Sequence, residues 1–281
     1  MIKGTTKMMC LLGNPVNHSL SPALHNELCR LNDFDGFYAA FAPAKESLEQ
    51  AIKGIQSLGG IGFNVTYPYK EAVIPFLDEI HEDAKVLNAV NTVVVENGRL
   101  KGYNTDVYGV EQLMIKNNIT VKNNCACIFG TGGASRAVSV ALLKQGVKRI
   151  DFYSRKVKPN AFIDKIGATA EVNNYSYDEF NGHKMDYDIL INGTPLGMGS
   201  MKNERAITPE GLKTKAFVVD LIYSPSKTNL LTVAGDNGYN IVNGYDMLYY
   251  QGLKAFDLWT GIYIDYYDAI KKLLINESVD A

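Results

Sequence analysis

Short apolar runs alternate with helical stretches along the first part of the chain. Strand-like runs lie at 8–12, 37–42 and 61–65. Between them, 21–32 and 45–58 carry apolar residues at the spacing that predicts amphipathic helices. This alternation favours an α/β fold with mainly parallel strands.

Two further β-rich runs, 90–95 and 100–104, flank the sequence Glu96-Asn97-Gly98-Arg99. Asn and Gly are turn-forming residues, so this segment predicts a β-hairpin that closes the first block.

A second block with the same alternation follows a predicted helix at 106–117. Its predicted strands lie at 125–129, 149–153, 189–192 and 217–221. The tail at 247–275 is helical in pattern and rich in aromatic residues, so its apolar face must be buried, and we expect it to return to the first block.

The length of 281 residues predicts two domains, since domains typically have ~100–200 residues. The expected boundaries are 1–105 for the first domain and 106–245 for the second. The segment 246–281 would then supply helices that pack on the first domain.

Charge and cysteine content limit the class of partner. The net charge of −2, with both signs interspersed, argues against nucleic acid or an anionic membrane and favours a small molecule. The cysteines Cys10, Cys29, Cys125 and Cys127 show no CxxC spacing and are interpreted as buried structural thiols in a reducing compartment. Without a recognisable signal peptide or an apolar run of ~18 residues, we expect a soluble cytoplasmic protein.

A glycine-rich turn follows the predicted strand at 125–129. It reads Gly130-Thr131-Gly132-Gly133-Ala134-Ser135 and precedes a predicted helix. Glycines allow a tight turn and a close approach of backbone N–H groups to a pyrophosphate, and the helix N-terminus favours its charge. A glycine cluster alone is more often a plain turn, but the strand before it and the helix after it favour dinucleotide binding.

The next predicted strand ends in Ser154-Arg155-Lys156, where NAD enzymes place an acidic residue on the ribose 2′-hydroxyl. Asp151 lies within that strand and is a poor candidate for this role. Arg155 and Lys156 would instead attract a 2′-phosphate, so NADP is the expected cofactor. The alternative is that both are ordinary solvated surface cations.

Hydroxyl and amide side chains cluster where the strands of the first block end. Such a set suits a polyol, because open α/β sheets bind ligands at these strand ends. Ser21 before Pro22 could equally be a helix cap, as could Thr105 or Asp106, and for each residue alone the cap is the simpler interpretation. The set comprises Ser19, Ser21, Asn64, Thr66, Lys70, Asn91, Thr92, Asn104, Thr105 and Asp106.

Lys70 and Asp106 are the candidates for chemistry. Oxidising a secondary alcohol by hydride removal requires a group that accepts the hydroxyl proton and returns it in the reverse reaction. An anionic partner raises the pKa of a lysine, which opposes its use as a base near neutral pH. Proton transfer by this pair therefore requires either shared burial of the two groups or passage of the proton through both of them. The histidines His18, His25, His81 and His183 lack zinc-ligand spacing and are interpreted as structural or exposed, and no metal is expected.

At these residues the chain resembles the shikimate dehydrogenase family. The resemblance covers nearly the whole chain, and chance agreement at so many places is implausible. The first half carries Gly13-Asn14-Pro15, His18-Ser19-Leu20-Ser21-Pro22, Gly62-Phe63-Asn64-Val65-Thr66-Tyr67-Pro68-Tyr69-Lys70, Ala89-Val90-Asn91-Thr92 and Gly102-Tyr103-Asn104-Thr105-Asp106. The second half adds the glycine turn, Asn192-Gly193-Thr194-Pro195-Leu196-Gly197-Met198, Asp220-Leu221-Ile222-Tyr223-Ser224-Pro225, and Asn243-Gly244-Tyr245-Asp246-Met247-Leu248 with Gln251.

The resemblance implies an N-terminal substrate domain, a Rossmann-like NADP domain and NADPH-dependent reduction of 3-dehydroshikimate to shikimate, a step of aromatic amino-acid biosynthesis. It puts Lys70 and Asp106 at the catalytic positions. Ser19 and Ser21 would hold the substrate carboxylate, and Thr66, Asn91, Asp106 and Gln251 its hydroxyls. Tyr223 would lie near substrate and nicotinamide. The implied cofactor contacts are Gly130, Gly132, Gly133, Ala134, Ser135, Ser154, Arg155, Lys156, Thr194, Met198 and Gly244.

Three alternatives stay open. The family's usual Asn-Arg-Thr run is replaced here by Ser154-Arg155-Lys156, which leaves NAD possible. In some members of a quinate-using branch, threonine stands where this chain has Ser21, so Ser21 favours shikimate. A catalytically silent NADP sensor would share the fold, although keeping Lys70 and Asp106 argues against it. Another two-domain oxidoreductase, acting on a folate or an aldehyde thioester, is the third, but neither Cys10 nor Cys29 lies in a nucleophile motif. The chain would be a monomer or a homodimer.

Overall fold

The structure is a computed structural model that describes residues 2–168, 170–180, 187–205, 207–210 and 212–279. These residues form two compact units. The first contains the chain up to Thr105 together with the part from Tyr249 onward, and the second contains Asp106–Leu248.

The first unit is built on a mixed sheet. In chain order its strands are β1 (Lys7–Leu12), β2 (Gly36–Phe41), β3 (Gly62–Val65), β4 (Glu79–Ile80), β5 (Thr92–Glu96) and β6 (Arg99–Tyr103). They are arranged in the order β2-β1-β3-β5-β6-β4. Strand β1 is parallel to β2 and β3, whereas β5 is antiparallel to both β3 and β6. The helices of the N-terminal part are α1 (Ser21–Leu31), α2 (Leu48–Ser57) and α3 (Glu82–Leu87).

The predicted hairpin is confirmed. Asn97 and Gly98, at its tip, have φ angles of 51° and 77°, which Gly and Asn tolerate better than other residues. Because the hairpin reverses the chain, the start of β5 and the end of β6 lie at the edge of the sheet where β1 and β3 end.

The C-terminal tail forms two helices, in agreement with the helices expected for this segment. They are α9 (Tyr245–Thr260) and α10 (Tyr267–Val279), and Gly261, with a φ of 72°, separates them. As expected, the tail packs within the first unit, since the indole of Trp259 donates a hydrogen bond of 2.9 Å to the carbonyl of Val93. Gly62 makes this contact possible because a Cβ there would run into the indole ring.

The second unit is a doubly wound parallel sheet. Its strands are β7 (Cys125–Phe129), β8 (Arg149–Ser154), β9 (Glu171–Ser176), β10 (Ile189–Asn192), β11 (Phe217–Asp220) and β12 (Asn240–Asn243), in the order β12-β11-β10-β7-β8-β9. Its helices are α4 (Asp106–Lys116), α5 (Gly133–Lys144), α6 (Ala161–Gly167), α7 (Tyr177–Phe180) and α8 (Asn229–Asp236). The strand order reverses between β7 and β10, where folds of this class bind ligands at the carboxyl ends of the strands.

The α/β class is thus confirmed, as are the strands predicted in both blocks. Strands β4, β9 and β12 were missed. The thiols of Cys10, Cys29 and Cys127 are buried as predicted, whereas Cys125 is only half-buried. No helix in the described ranges is long and apolar enough to cross a membrane.

Candidate active site

The polar segments of the first unit meet at one edge of its sheet. In the strand register Asn64 pairs with Thr92, and Thr92 pairs with Tyr103. The antiparallel hairpin therefore brings 91–92 and 104–105 beside the end of β3.

Buried hydrogen bonds hold these segments together. The Asn64 amide donates to the Thr92 hydroxyl at 3.0 Å and to the Asn91 carbonyl at 3.1 Å. Asn91 donates to the Thr105 hydroxyl at 3.1 Å and accepts the Thr105 backbone N–H at 2.8 Å. Thr105 is therefore part of this network. Because a buried polar group without a partner is costly, such a network fixes its members' geometry.

Thr66 and Lys70 follow β3 and are both half-exposed. The backbone N–H of Thr66 donates to the Leu12 carbonyl at 2.9 Å, and the Lys70 carbonyl accepts the N–H of Val90 at 2.8 Å. The Lys70 backbone is thus tied to the residue that precedes Asn91.

Ser19 and Ser21 lie at the start of α1. The cap interpretation of Ser21 is wrong, because Leu20 occupies the N-cap position and Ser21 is the first helical residue. The Ser19 hydroxyl accepts the backbone N–H of Ser21 at 3.2 Å. Gln251 lies on α9, which approaches α1 closely because Gly252 has no Cβ to meet Leu24.

Tyr38, on β2, is a buried residue that bonds to the polar network from inside the unit, and it was not identified from the sequence. Its hydroxyl donates to the Asn64 side chain at 2.7 Å. Burial raises its pKa. His25 stacks on the Tyr38 ring at 4.4 Å between centroids and is fully buried. Nothing distinguished Tyr38 in the sequence, since an aromatic residue in a strand is ordinarily core.

Of the other histidines, His18 and His81 are exposed, while His183 lies outside the described residues.

The glycine turn follows β7 in the second unit. Gly130 has a φ of 96°, and its N–H bonds to the Tyr153 carbonyl at 2.8 Å. Gly132 is the N-cap residue of α5, no side chain caps the helix, and no atom lies within 4 Å of a Cβ built on Gly132. The first N–H groups of α5, in a turn held open by glycine, fit a pyrophosphate.

Ser135 and Thr194 pack around this turn. Ser135 is fully buried, and its hydroxyl fills the space that a Cβ on Gly193 would take. The Thr194 methyl group lies 3.0 Å from the Cβ position of Gly130. Ala134 lies in the first turn of α5. The loops after β7 and β10 therefore approach closely because the side chains between them are small.

The residues expected at the ribose lie where β8 ends. Ser154 is its last residue, and its hydroxyl bonds to the Lys156 carbonyl at 3.0 Å, while Arg155 and Lys156 are exposed. Asp151 is buried within β8 and accepts the Tyr187 hydroxyl at 2.6 Å. Asp151 therefore points into the core. This agrees with the sequence analysis, in which Asp151 was a poor candidate for the acid that binds the ribose.

Three further predicted residues, Met198, Tyr223 and Gly244, follow β10, β11 and β12 of the second unit. Asp106 lies elsewhere in this unit, at the start of α4. Met198 is exposed, and Tyr223 is half-exposed with a pKa raised by burial. Gly244 passes so close to Leu221 that a Cβ would overlap its carbonyl. Asp106 begins α4, where the helix dipole favours its negative charge.

Comparison with known proteins gives a consistent result. A family model for the shikimate dehydrogenase substrate-binding domain matches residues 11–93. The chain is 43% identical to a protein named shikimate dehydrogenase (NADP(+)) from Caldanaerobacter subterraneus subsp. tengcongensis over 276 residues, which covers 94% of this chain and 95% of that protein.

Solved structures agree over nearly the whole chain. Shikimate 5-dehydrogenase from Listeria monocytogenes, in complex with shikimate and NAD, matches with a TM-score of 0.89 at 30% identity and covers 97% of this chain and 98% of that one. Shikimate 5-dehydrogenase from Thermus thermophilus, in complex with NADP(H) and shikimate, has a TM-score of 0.84 at 30% identity, with 98% and 99% coverage. The chain belongs to the shikimate dehydrogenase family.

Proposed function

We propose that this protein catalyses the reversible NADPH-dependent reduction of 3-dehydroshikimate to shikimate in the cytoplasm, as a monomer or a homodimer. The observation that carries the proposal is the buried network that gathers hydroxyl and amide side chains at one sheet edge. It occurs in a chain that is 43% identical to an NADP-dependent shikimate dehydrogenase.

The second unit would hold the cofactor. The N–H groups at Gly132, Gly133 and Ala134 would bind the pyrophosphate, and the small residues Gly130 and Ser135 would keep the turn close to the sheet. Arg155 would bind the 2′-phosphate with its planar guanidinium, next to Ser154 and Lys156. Thr194, Met198 and Gly244 would line the nicotinamide side, and NADPH, when bound, supplies the hydride.

The first unit would hold most of the substrate. Ser19 and Ser21 offer hydroxyl donors to a carboxylate, while Thr66, Asn91 and Gln251 offer donors and acceptors to ring hydroxyls. The resemblance to shikimate dehydrogenases also assigns a substrate hydroxyl to Asp106 and a position near the substrate ring to Tyr223.

Lys70 and Asp106 would carry the proton chemistry. When the ketone becomes an alcohol, its oxygen must gain a proton, and the Lys70 ammonium group is the donor that we assign. Asp106 would orient the lysine and hydrogen-bond to the hydroxyl. In the reverse direction the same pair would accept the proton.

Initial rates test the activity. The reduction is measured with 3-dehydroshikimate and either NADPH or NADH, and the oxidation with shikimate or quinate and either NADP⁺ or NAD⁺. We expect the highest kcat/KM with NADPH in the reduction, and with NADP⁺ and shikimate in the oxidation. Because one hydroxyl changes binding by only about 1–3 kcal/mol, slow quinate turnover is compatible with the proposal. Cofactor binding without turnover of any pair would indicate the silent sensor instead.

Two variants test the assigned roles. Lys70→Ala should lower kcat far more than it changes the Kd for shikimate, and a large loss of binding with normal kcat would contradict the proton-transfer role. Arg155→Ala should raise KM for NADPH but not for NADH. Arg99→Ala, which removes an exposed arginine at the hairpin, is the matched control, and equal effects of Arg155→Ala on both cofactors would exclude the 2′-phosphate contact.

A further inference from the structure

Asp220 is a fully buried carboxylate at the end of β11 with three hydrogen-bond donors around it. One oxygen accepts the Asn192 amide at 2.9 Å and the Ile222 backbone N–H at 3.2 Å, and the other accepts the Thr228 hydroxyl at 2.6 Å. Burial raises the pKa of Asp220, and these donors oppose that shift.

The first connection leads to the loop after β10. Asn192 accepts the backbone N–H of Thr194 at 3.0 Å and its hydroxyl at 2.7 Å, and its amide also donates to the Leu196 carbonyl at 3.2 Å. A carboxylate accepts hydrogen bonds and cannot donate them, so Asp220 requires the amide nitrogen of Asn192 to face it. The Asn192 oxygen is thereby turned toward Thr194.

The second connection leads to the loop after β11. Ile222 and Thr228, which both bond to Asp220, lie on either side of Tyr223 in the chain. Thr228 also caps α8 by accepting the N–H of Leu231, and the Ile222 carbonyl accepts the N–H of Gly244 at 3.0 Å. The segment that carries Tyr223 is thus anchored at both ends to one carboxylate.

We propose that Asp220 is a positioning residue that sets the Thr194 loop and the Tyr223 loop relative to each other, and so orients the nicotinamide end of the cofactor for hydride transfer. This inference rests on the proposed function, because that function makes both loops part of the cofactor site. It assigns to Asp220 no contact with the cofactor. Burying a carboxylate costs free energy because the charge loses its hydration. Here the buried acceptor holds two loops of the cofactor site in place, which is a functional reason to keep it.

Asp220→Asn tests the proposal, because the replacement keeps the shape and adds a donor that competes with the required amide orientation. Hydrogen exchange of the ligand-free protein should become faster at Thr194, Leu196 and Ile222, but not at the glycine turn. The Kd for 2′-phospho-ADP-ribose, which lacks nicotinamide, should stay within about twofold. The kcat should fall roughly 10- to 100-fold, and the primary deuterium isotope effect measured with 4-deuterated NADPH should rise.

Asp151→Asn is the matched control, since it neutralises another buried carboxylate of the same sheet outside both loops. It should leave the isotope effect at the wild-type value. If Asp220→Asn does not fold, Thr228→Val removes the Thr228 end of the anchor together with the cap of α8, and leaves the Asn192 and Ile222 bonds to Asp220 in place. Because the Tyr223 loop is then held only at Ile222, exchange at Ile222 should become faster and the isotope effect should rise, while Thr194 stays protected.

The inference is overturned if the folded Asp220 variant, or Thr228→Val in its place, keeps the wild-type isotope effect. Equal weakening of 2′-phospho-ADP-ribose and NADP⁺ binding would also overturn it, as general damage to the unit. Failure of the wild-type protein to bind 2′-phospho-ADP-ribose would instead refute the proposed function, and hydrogen exchange would still decide whether Asp220 orders the two loops.

Discussion

Single residues in this fold differ in how visible their roles are in the sequence. The glycine turn could be predicted because Gly130 and Gly132 stand between an apolar strand and a helix. Tyr38 and Asp220 could not, because each occupies an ordinary strand position and acts through partners 26 and 28 residues away. Such pairings depend on strand order, which no local pattern specifies.

Gly132→Ala should separate cofactor binding from folding. Its backbone is extended and no atom lies within 4 Å of the added Cβ, so the free energy of unfolding should change by less than about 0.5 kcal/mol. The methyl group would occupy the space above the turn, and the Kd for NADP⁺ should rise at least roughly tenfold, about 1.4 kcal/mol.

Chemical denaturation and calorimetric titration measure these two effects. Gly54→Ala, on α2 and equally open around its Cβ, is the control for an added methyl group. Unchanged NADP⁺ binding in Gly132→Ala would argue against a pyrophosphate at this turn.

His25 should make the protein sensitive to acid. Neither ring nitrogen has a hydrogen-bond partner of good geometry, and burial, opposed by the nearby Asn64 side chain, lowers the pKa from 6.5 to about 3. As the pH falls below 6.5, the unfolded chain binds a proton that the folded protein excludes, so stability is lost. Between pH 7 and pH 4 this should remove about 3 kcal/mol from the free energy of unfolding.

Urea denaturation across this pH range measures the slope. His25→Leu should flatten it, whatever its stability at pH 7. His18→Leu removes an exposed imidazole and serves as control, and the same slope in wild type and His25→Leu would assign the acid sensitivity to other groups.

At the scale of elements, burial decided which strands could be predicted. Cys125–Phe129 is a run of apolar residues in the middle of its sheet, and its strand was identified correctly. Glu171–Ser176 forms an edge strand whose residues are half-buried or exposed, so its polar sequence EVNNYS resembles a loop. The position of the break between the two C-terminal helices was not specified, because the aromatic pattern continues across Gly261.

The docking of α9 on the first sheet should depend on one indole N–H. Trp259→Phe keeps an aromatic ring but leaves the Val93 carbonyl without this donor and removes buried volume. We expect the free energy of unfolding to fall by about 2 kcal/mol. Denaturation followed by circular dichroism would measure it, and a loss below about 0.5 kcal/mol would mean that α9 is held by other contacts.

At the scale of the whole molecule, the two units should respond to different ligands. A ligand that binds only the folded state stabilises the part that it contacts, by about 2.7 kcal/mol at 100 times its Kd. NADP⁺ should therefore slow hydrogen exchange mainly around the glycine turn and β7. Shikimate should slow it mainly at 64–66, 91–92 and 104–105.

Mass spectrometry of hydrogen exchange, with each ligand alone, measures both patterns. Protection by shikimate confined to 106–248 would contradict the assignment of substrate contacts to the first unit.

The discontinuity of the first unit also has a consequence for synthesis on the ribosome. Gly62 and Val93 are made early, but their partner Trp259 follows the entire second unit in the chain. The second unit is contiguous and can be completed while the last helices are still being translated. The N-terminal part of the first unit is therefore synthesised before the second unit, but its core is complete only after α9 has been made. Until then the apolar sheet face that α9 covers is exposed and accessible to chaperones.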